Sequence, residues 1–531
     1  MTDRLSKPSR HTTAPPRRVP DTQLVFHHDI SRYVELGGTM LNVARILDAT
    51  WRNHYKGRYL EELPDVIGLD DISRFWPSLH NAIRDDLAQD KTRIQSIEII
   101  NLPKDPVSVR PLVRFSIRDR ILYESLVFGL AHSVDKEIFP SVYSYRWNLL
   151  SFSFRDPIKM WLRMQKAASR HLVKNSTHYA AKTDVTSFYE SIHLETLTED
   201  LEAATGQVEW VNKLRIYLDS FQSFHSAWGI PQGSDASGIL ANLYLLPVDE
   251  LLRRRGVRSL RYSDDMYLFG SDFWELRDSL LQINDVLRSR RLSMATQKTE
   301  IMNTSSAVNY FSDAEKDAIQ YGIVVGNPGR SDLVRKYFDS ALERDRISVR
   351  DLRFAINRLK RLNDDYALPW VLDNATRHPH MSKEIFAYMA KFIDGRDGEV
   401  ATKLASMMSS GEISPYPYLQ FQVLRMALKY GIKDARIIDA AWQILEDKNR
   451  GSLPREFAVR YIARSGSLSS GMLMKHRFEN EQEDSMRRAL MVGMYESGYY
   501  PKRLFTSIAQ HKDALGLTAS YLDTSPKVPV I

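Results

Sequence analysis

Residues 258–270 read RSLRYSDDMYLFG. Leu260 and Tyr262 before the acids, and Met266 and Leu268 after them, alternate as strand residues do. The stretch therefore predicts a β-hairpin with Ser263, Asp264 and Asp265 at its turn. Ser and Asp suit a turn because their side chains hydrogen-bond nearby backbone. Two adjacent carboxylates repel each other, however, and ionised ones are costly to bury unpaired. The hairpin is either a plain turn or a holder of divalent cations. The second reading needs at least one more acid, brought to the hairpin from elsewhere in the chain.

The chain has 531 residues, enough for two or three domains. Its 43% hydrophobic and 26% charged residues are those of a globular protein. A net charge of +7 and a pI near 9.1 point to nucleic acid or another polyanion as partner. The absence of cysteine excludes disulfides, thiol nucleophiles and cysteine-ligated zinc, and fits a reducing cytoplasm. No run of 18 apolar residues occurs, so no membrane helix and no membrane partner is expected. Residues 1–22 are basic and proline-rich, with no hydrophobic stretch after them. They read as a disordered tail, the alternative being an arm that touches nucleic acid.

From 23 to 100 the pattern is mostly helical, as in MLNVARIL (40–47) and LHNAIRDDL (79–87). IQSIEIINL and VRPLVRFSI, separated by Pro-Lys-Asp-Pro, predict a hairpin over 95–118 that carries Lys104, Arg110 and Arg114. A helix follows at 119–134. Residues 178–192 predict a strand running into a turn and helix, and 229–252 a glycine-rich loop running into one long helix. After the acid hairpin comes a helix through FWELRDSLLQINDVLRSRRL. Beyond about 330 the strand signals fade. Apolar stripes such as Ile385, Phe386, Met389, Phe392 and Ile393 recur, and Asp434 reads as an N-cap. The expected class is α+β, with a mixed domain at 23–320 and an all-α domain of stacked, HEAT-like helix pairs at 321–531.

Asp184 supplies the further acid. It ends a strand-like stretch and is followed by Ser187, Phe188 and Tyr189. Alone it reads as a cap or turn. Here an acidic hairpin follows about eighty residues later, with a glycine-rich loop between, an order that resembles the polymerase palm. Carboxylates brought together in that way hold two Mg2+ ions ~4 Å apart.

The chain resembles a reverse transcriptase. Tyr262-Ser263-Asp264-Asp265 resembles the family's Tyr-x-Asp-Asp box, DVTSFYESI (184–192) its first palm motif, and Ile230-Pro-Gln-Gly-Ser234 its Pro-Gln-Gly motif. Arg110-Pro111-Leu112 with Asp119-Arg120 resembles the fingers segment, Ser144-Tyr145-Arg146 the Ser-x-Phe-Arg element, and Lys298 the following lysine motif. The resemblance implies a fingers and palm domain with catalytic Asp184, Asp264 and Asp265. The metal ligands would be these three and the Val185 carbonyl, holding two Mg2+ with Mn2+ as substitute. It implies that Tyr189 is an aromatic gate against a ribose 2′-hydroxyl, which favours dNTPs. Gln232 and Gly233 would lie against template and incoming base. Lys104 and Arg110 would bind triphosphate, with Arg114 either a substitute for one of them or a solvated strand charge, and Lys298 would protonate pyrophosphate unless it is a plain surface lysine.

No thumb, ribonuclease H, maturase or endonuclease motif follows residue 301. A helical region in place of a thumb is similar to the bacterial abortive-infection, defence-associated (AbiK-type) group. That likeness implies antiphage defence, a homo-oligomer, and DNA synthesis without a template, primed on a protein hydroxyl. Tyr499, Tyr500 and Tyr521 are among the tyrosines available. The alternatives are a retron-like or group II intron-like enzyme that copies a partner non-coding RNA, an inactive nucleic-acid-binding palm, and a nucleotide cyclase. Pro-Gln-Gly and the arginine-bearing hairpin weigh against the last.

Overall fold

In the computed structural model, four antiparallel strands form the sheet that carries both acid segments. The structure describes residues 42–530, except 58–60, 175, 312–313, 326, 344–347, 395–397 and 525. The basic segment 1–22 lies outside the described residues.

Two helices near the start, Val43–Gly57 (α1) and Trp76–Ala88 (α2), lead into the hairpin of β1 (Ile97–Pro103) and β2 (Val109–Phe115). The Asp105 carboxylate closes its turn by accepting from the Val107 and Ser108 amides. The helix Ile117–Glu137 (α3), N-capped by Ser116, is buried over most of its length. Pro157–Leu172 (α4) follows, with proline in its first turn and Asp156 as N-cap. Strand β3 (Tyr179–Thr183) leads to Asp184. The expected long helix after the glycine-rich loop is two helices, α5 (Asp235–Tyr244) and α6 (Leu246–Arg254). Pro247 has no amide hydrogen to continue the first helix, so the chain restarts there.

Strands β4 (Arg258–Tyr262) and β5 (Asp265–Gly270) form the acid hairpin, and β6 (Glu300–Asn303) completes the sheet in the order β4-β5-β3-β6. Alternation along β3 divides its side chains between two layers. Ala180 packs with Leu260, Phe269 and the α4 residues Met164, Ala168 and Leu172. Ala181 joins Met266, Leu268 and residues of α7 (Phe273–Ser289), among them Leu276 and Ile283. Both faces of the sheet are thus covered, which fixes its register.

The rest of the chain is helical. Val349–Leu362 (α8), Ser382–Lys391 (α9), Pro417–Tyr430 (α10), Ser452–Ser465 (α11), Asp484–Glu496 (α12) and Ala514–Asp523 (α13) pack each on the next. Each intervening helix packs on the helix that follows it. Asp434 caps its helix as expected, accepting from the Arg436 amide. The core of this region extends to Val66, Ile67 and Ile100, and Leu41–Ile531 is one compact unit. The helix Ala314–Val325 runs across the expected division at 320. Among the described residues, no helix is long and apolar enough to cross a membrane.

Candidate active site

The sheet register delivers the acids. Thr183 pairs with Met266, and Tyr262 with Asp265. Asp184 therefore leaves β3 opposite the turn that carries Asp264. Beyond Asp184 the chain is tied to 293–295: the Ala295 amide donates to the Asp184 carbonyl (2.8 Å) and the Thr186 amide to the Ser293 carbonyl (2.9 Å). These bonds flank Val185, which bridges to Met294, and leave the Val185 carbonyl directed away from that partner.

Asp184 is only 5% exposed. Its carboxylate accepts from the Lys298 ammonium and also meets the Asp264 carboxyl. Burial, then the negative charge of Asp184, pushes Asp264 up to about 7. The hydrogen bond to Asp184 holds the Lys298 ammonium above its ordinary value. A cation thus already sits on the acid pair, as the donor set demands. Hard carboxylate oxygens beside a backbone carbonyl suit Mg2+, which takes one or two carboxylates and fills its other positions with water and phosphate. Among the described residues, no three His, Cys, Asp or Glu side chains form a ready-made metal cluster.

The acids line a cavity of about 420 Å³. Its opposite wall is the β1–β2 hairpin, with Lys104, Arg110 and Leu112. Among the described residues, neither the Lys104 nor the Arg110 side chain has an acid partner. Both cations are free to meet an anion. The floor is Gln232 and Gly233. The Gln232 carbonyl accepts from the Val113 amide of β2 (2.9 Å), which locks this loop to the hairpin. Gly233 has φ +116°, a conformation that L side chains rarely adopt.

An aromatic wall closes the third side. Tyr189 lines the cavity and bonds Ser263 and Tyr145. Burial, then Tyr189, pushes the Tyr145 hydroxyl far above its usual range, so it stays protonated as a donor. Two glycines make room. A Cβ on Gly229 (φ +61°) would overlap the Tyr189 carbonyl, and one on Gly238 would enter the Tyr145 ring. Tyr145, Ser187 and Ser263 all hold positive φ, at 47°, 46° and 58°. Such strain persists where surrounding structure enforces it, and here all three residues line one cavity.

Of the residues singled out from sequence, the cavity brings together Asp184, Val185, Asp264, Lys104, Arg110, Tyr189, Gln232, Gly233 and Lys298. Asp265 opens β5 on an exposed position and does not line it. Arg114 is directed elsewhere. Its guanidinium donates to both oxygens of Glu456 (2.8 and 2.6 Å) and to Glu98 (3.1 Å), so it is committed to the helical region. Arg120 and Arg146 are also internal: Arg120 bonds Glu61 and Glu124, and Arg146 bonds Asp135. The sequence reading missed Tyr145 and Asp235 as cavity residues. Burial, then Glu124, pushes the Asp235 carboxyl upward. Tyr145 lay inside a motif already noted, but only the fold sets its hydroxyl on Tyr189.

Residues 102–314 match the family model described as reverse transcriptase (RNA-dependent DNA polymerase). The match takes in 213 of the 531 residues and all of the cavity. A comparison with curated proteins finds no match.

Proposed function

Starting from a reverse-transcriptase domain at 102–314, we propose that the protein is a DNA polymerase that adds dNTPs at the cavity between the β1–β2 hairpin and the acid hairpin. The carrying observation is the opposition of charge across one small space. The converging Asp184 and Asp264 face Lys104 and Arg110, which have no acid partner among the described residues. A nucleoside triphosphate is the kind of ligand that needs both. Arg110 offers a planar fork to phosphate oxygens and Lys104 a point charge. Asp184, Asp264 and the Val185 carbonyl would hold Mg2+, with Asp265 as the neighbouring carboxylate. Bound there, a pair of ions would acidify the attacking primer hydroxyl and neutralise the leaving pyrophosphate. Lys298, released from Asp184, would give a proton to pyrophosphate. Gly233 would let a base approach the backbone, and the Tyr189 ring, which lines the same cavity, would exclude a 2′-hydroxyl.

The setting we propose is antiphage defence of the abortive-infection type, by a cytoplasmic homo-oligomer. What supports it is the helical region that stands where a thumb would follow. In that setting the DNA is made without a template and started on a protein hydroxyl. Tyr500 donates to Asp523 (2.7 Å) and Tyr521 is buried, so neither hydroxyl is presented freely.

The test is to run products made from labelled dNTPs and Mg2+, with no added template, before and after protease and ribonuclease. A product that shifts with protease supports protein priming. One that requires co-purified RNA, and is lost when that RNA is digested first, supports the RNA-templated alternative. A phage plating assay comparing wild type with Asp264→Ala tests the defence role, and equal plating refutes it.

A further inference from the structure

We infer that the solvent face of α4 is a track for the sugar–phosphate backbone of a nucleic-acid strand passing the acid hairpin. This rests on the polymerase reading above and gives its polymer a place on the surface.

Residues 157–183 contain six Lys or Arg and no Asp or Glu, in a chain whose net charge is +7. Within α4, Lys159, Arg163, Lys166 and Arg170 recur at intervals of four, three and four residues. At 3.6 residues per turn they fall within an arc of about 60°. Lys174 continues the row just past the helix. All five are exposed. The opposite side of α4 is buried, with Met164, Ala167, Ala168 and Leu172 in one cluster with the sheet residues Ala180, Leu260 and Phe269.

Among the described residues, none of these five cations has an acid partner. Exposed cations on other helices do pair, as in Lys475–Glu479 and Arg215–Asp219. Like charges at i,i+4 oppose helix formation, so folding gains nothing from the row. A polyanion does. The four helical cations span about 17 Å at 1.5 Å per residue, the length of about five nucleotide steps at 3.4 Å each.

The row also starts beside the acid hairpin. The Tyr262 hydroxyl donates to the Pro157 carbonyl at the start of α4 (3.0 Å). The Trp161 ring meets the Tyr262 ring edge-on at 5.1 Å. Tyr262 stands two residues before Asp264, so α4 is fastened directly to the acid hairpin. Exposed Ile158 and Leu162 border the cations and would also suit an anionic membrane surface. Attachment to the acid hairpin favours the nucleic-acid strand.

The experiment uses the full chain and a short fluorescein-labelled oligouridylate, with the matching oligothymidylate, in anisotropy titrations across a salt series. The variant is Arg163→Gln/Lys166→Gln/Arg170→Gln. The control is Lys429→Gln/Lys433→Gln/Lys448→Gln, which removes three exposed cations from the helical region. Each single-strand phosphate contact contributes about 0.7 to the slope of log affinity against log salt, so three lost contacts reduce its magnitude by about 2. The expected result is that loss in the α4 variant, with the control unchanged. A loss confined to RNA or to DNA supports the track and identifies its strand. An unchanged slope, an equal change in the control, or no binding of either strand overturns it. So does an unchanged slope with loss of binding to phosphatidylserine vesicles, which would make α4 a membrane face. A reduced slope in a protein that incorporates no nucleotide keeps the track and refutes the polymerase. Incorporation with an unchanged slope does the reverse.

Discussion

Asp264 is the residue whose chemistry is most altered by its surroundings. Its carboxyl is pushed from an ordinary 3.8 up to about 7 by burial and then by Asp184. Between about 4 and 7 the folded protein therefore holds a proton that the unfolded chain has released. That contribution to stability is full below about 4 and is lost as pH rises through 7. A divalent cation needs the ionised form. The rise in melting temperature caused by Mg2+ should grow from pH 6 to pH 8 and disappear in Asp264→Asn, as read by thermal unfolding with and without the ion. A Mg2+ effect that is flat with pH would contradict the shared-proton arrangement. Directly before Asp264, Ser263 also receives Tyr189. Gly229→Ala would drive a methyl group into the Tyr189 carbonyl at φ +61°. It should cost about 1–3 kcal/mol in urea unfolding, the range for a strained backbone position. Tyr189→Ala should leave the fold intact and narrow the preference for dNTPs over NTPs, measured as a ratio of kcat/KM.

The β1–β2 hairpin is held from two sides. At one end the Val113 amide is fixed to the Gln232 carbonyl in the cavity floor. At the other, Arg114 is buried between Glu98 and Glu456, while Ser452 and Leu453 of α11 also donate to Glu98 (2.6 and 3.1 Å). The helical region thereby grips the element that carries Lys104 and Arg110. Truncating one partner of a buried ion pair strands the other charge, typically at a cost of about 3–5 kcal/mol. Glu456→Ala should lose that much stability. At temperatures where it stays folded, it should raise the KM for dNTP more than it lowers kcat. An unchanged KM would separate the helical region from nucleotide binding. Elements of this kind show what a sequence can and cannot disclose. The two hairpins were legible because strand alternation and turn residues are local. The break at Pro247 was missed because apolar periodicity continues across it, although proline itself marks the restart. Arg114 looked like a nucleotide ligand because it shares a strand with Arg110. Its real partner lies 342 residues away, and no local pattern encodes that distance.

Across the whole molecule, acids, cations and aromatics from segments between 104 and 298 converge on a space of about 420 Å³, and a long helical region braces one of its walls. The acids, the Pro-Gln-Gly loop and the lysine were readable in sequence because each carries chemistry in a short motif. The Tyr145–Tyr189 contact, the exposed position of Asp265 and the grip on Arg114 were not, because they depend on how separate segments pack. The α4 cations repeat with helical spacing, but their lack of acid partners is visible only once every neighbouring element is in place. We propose above all that Asp184 and Asp264 make this cavity a nucleotidyl-transfer site. Incorporation of labelled dNTP by the purified full chain, in Mg2+ and with and without added RNA, tests it directly when wild type is set beside Asp264→Ala. The expected result is polymer from wild type in at least one of these conditions and a loss of at least a hundredfold in Asp264→Ala, about 2.7 kcal/mol in the barrier. Equal incorporation by the two proteins, or none by either, would contradict it.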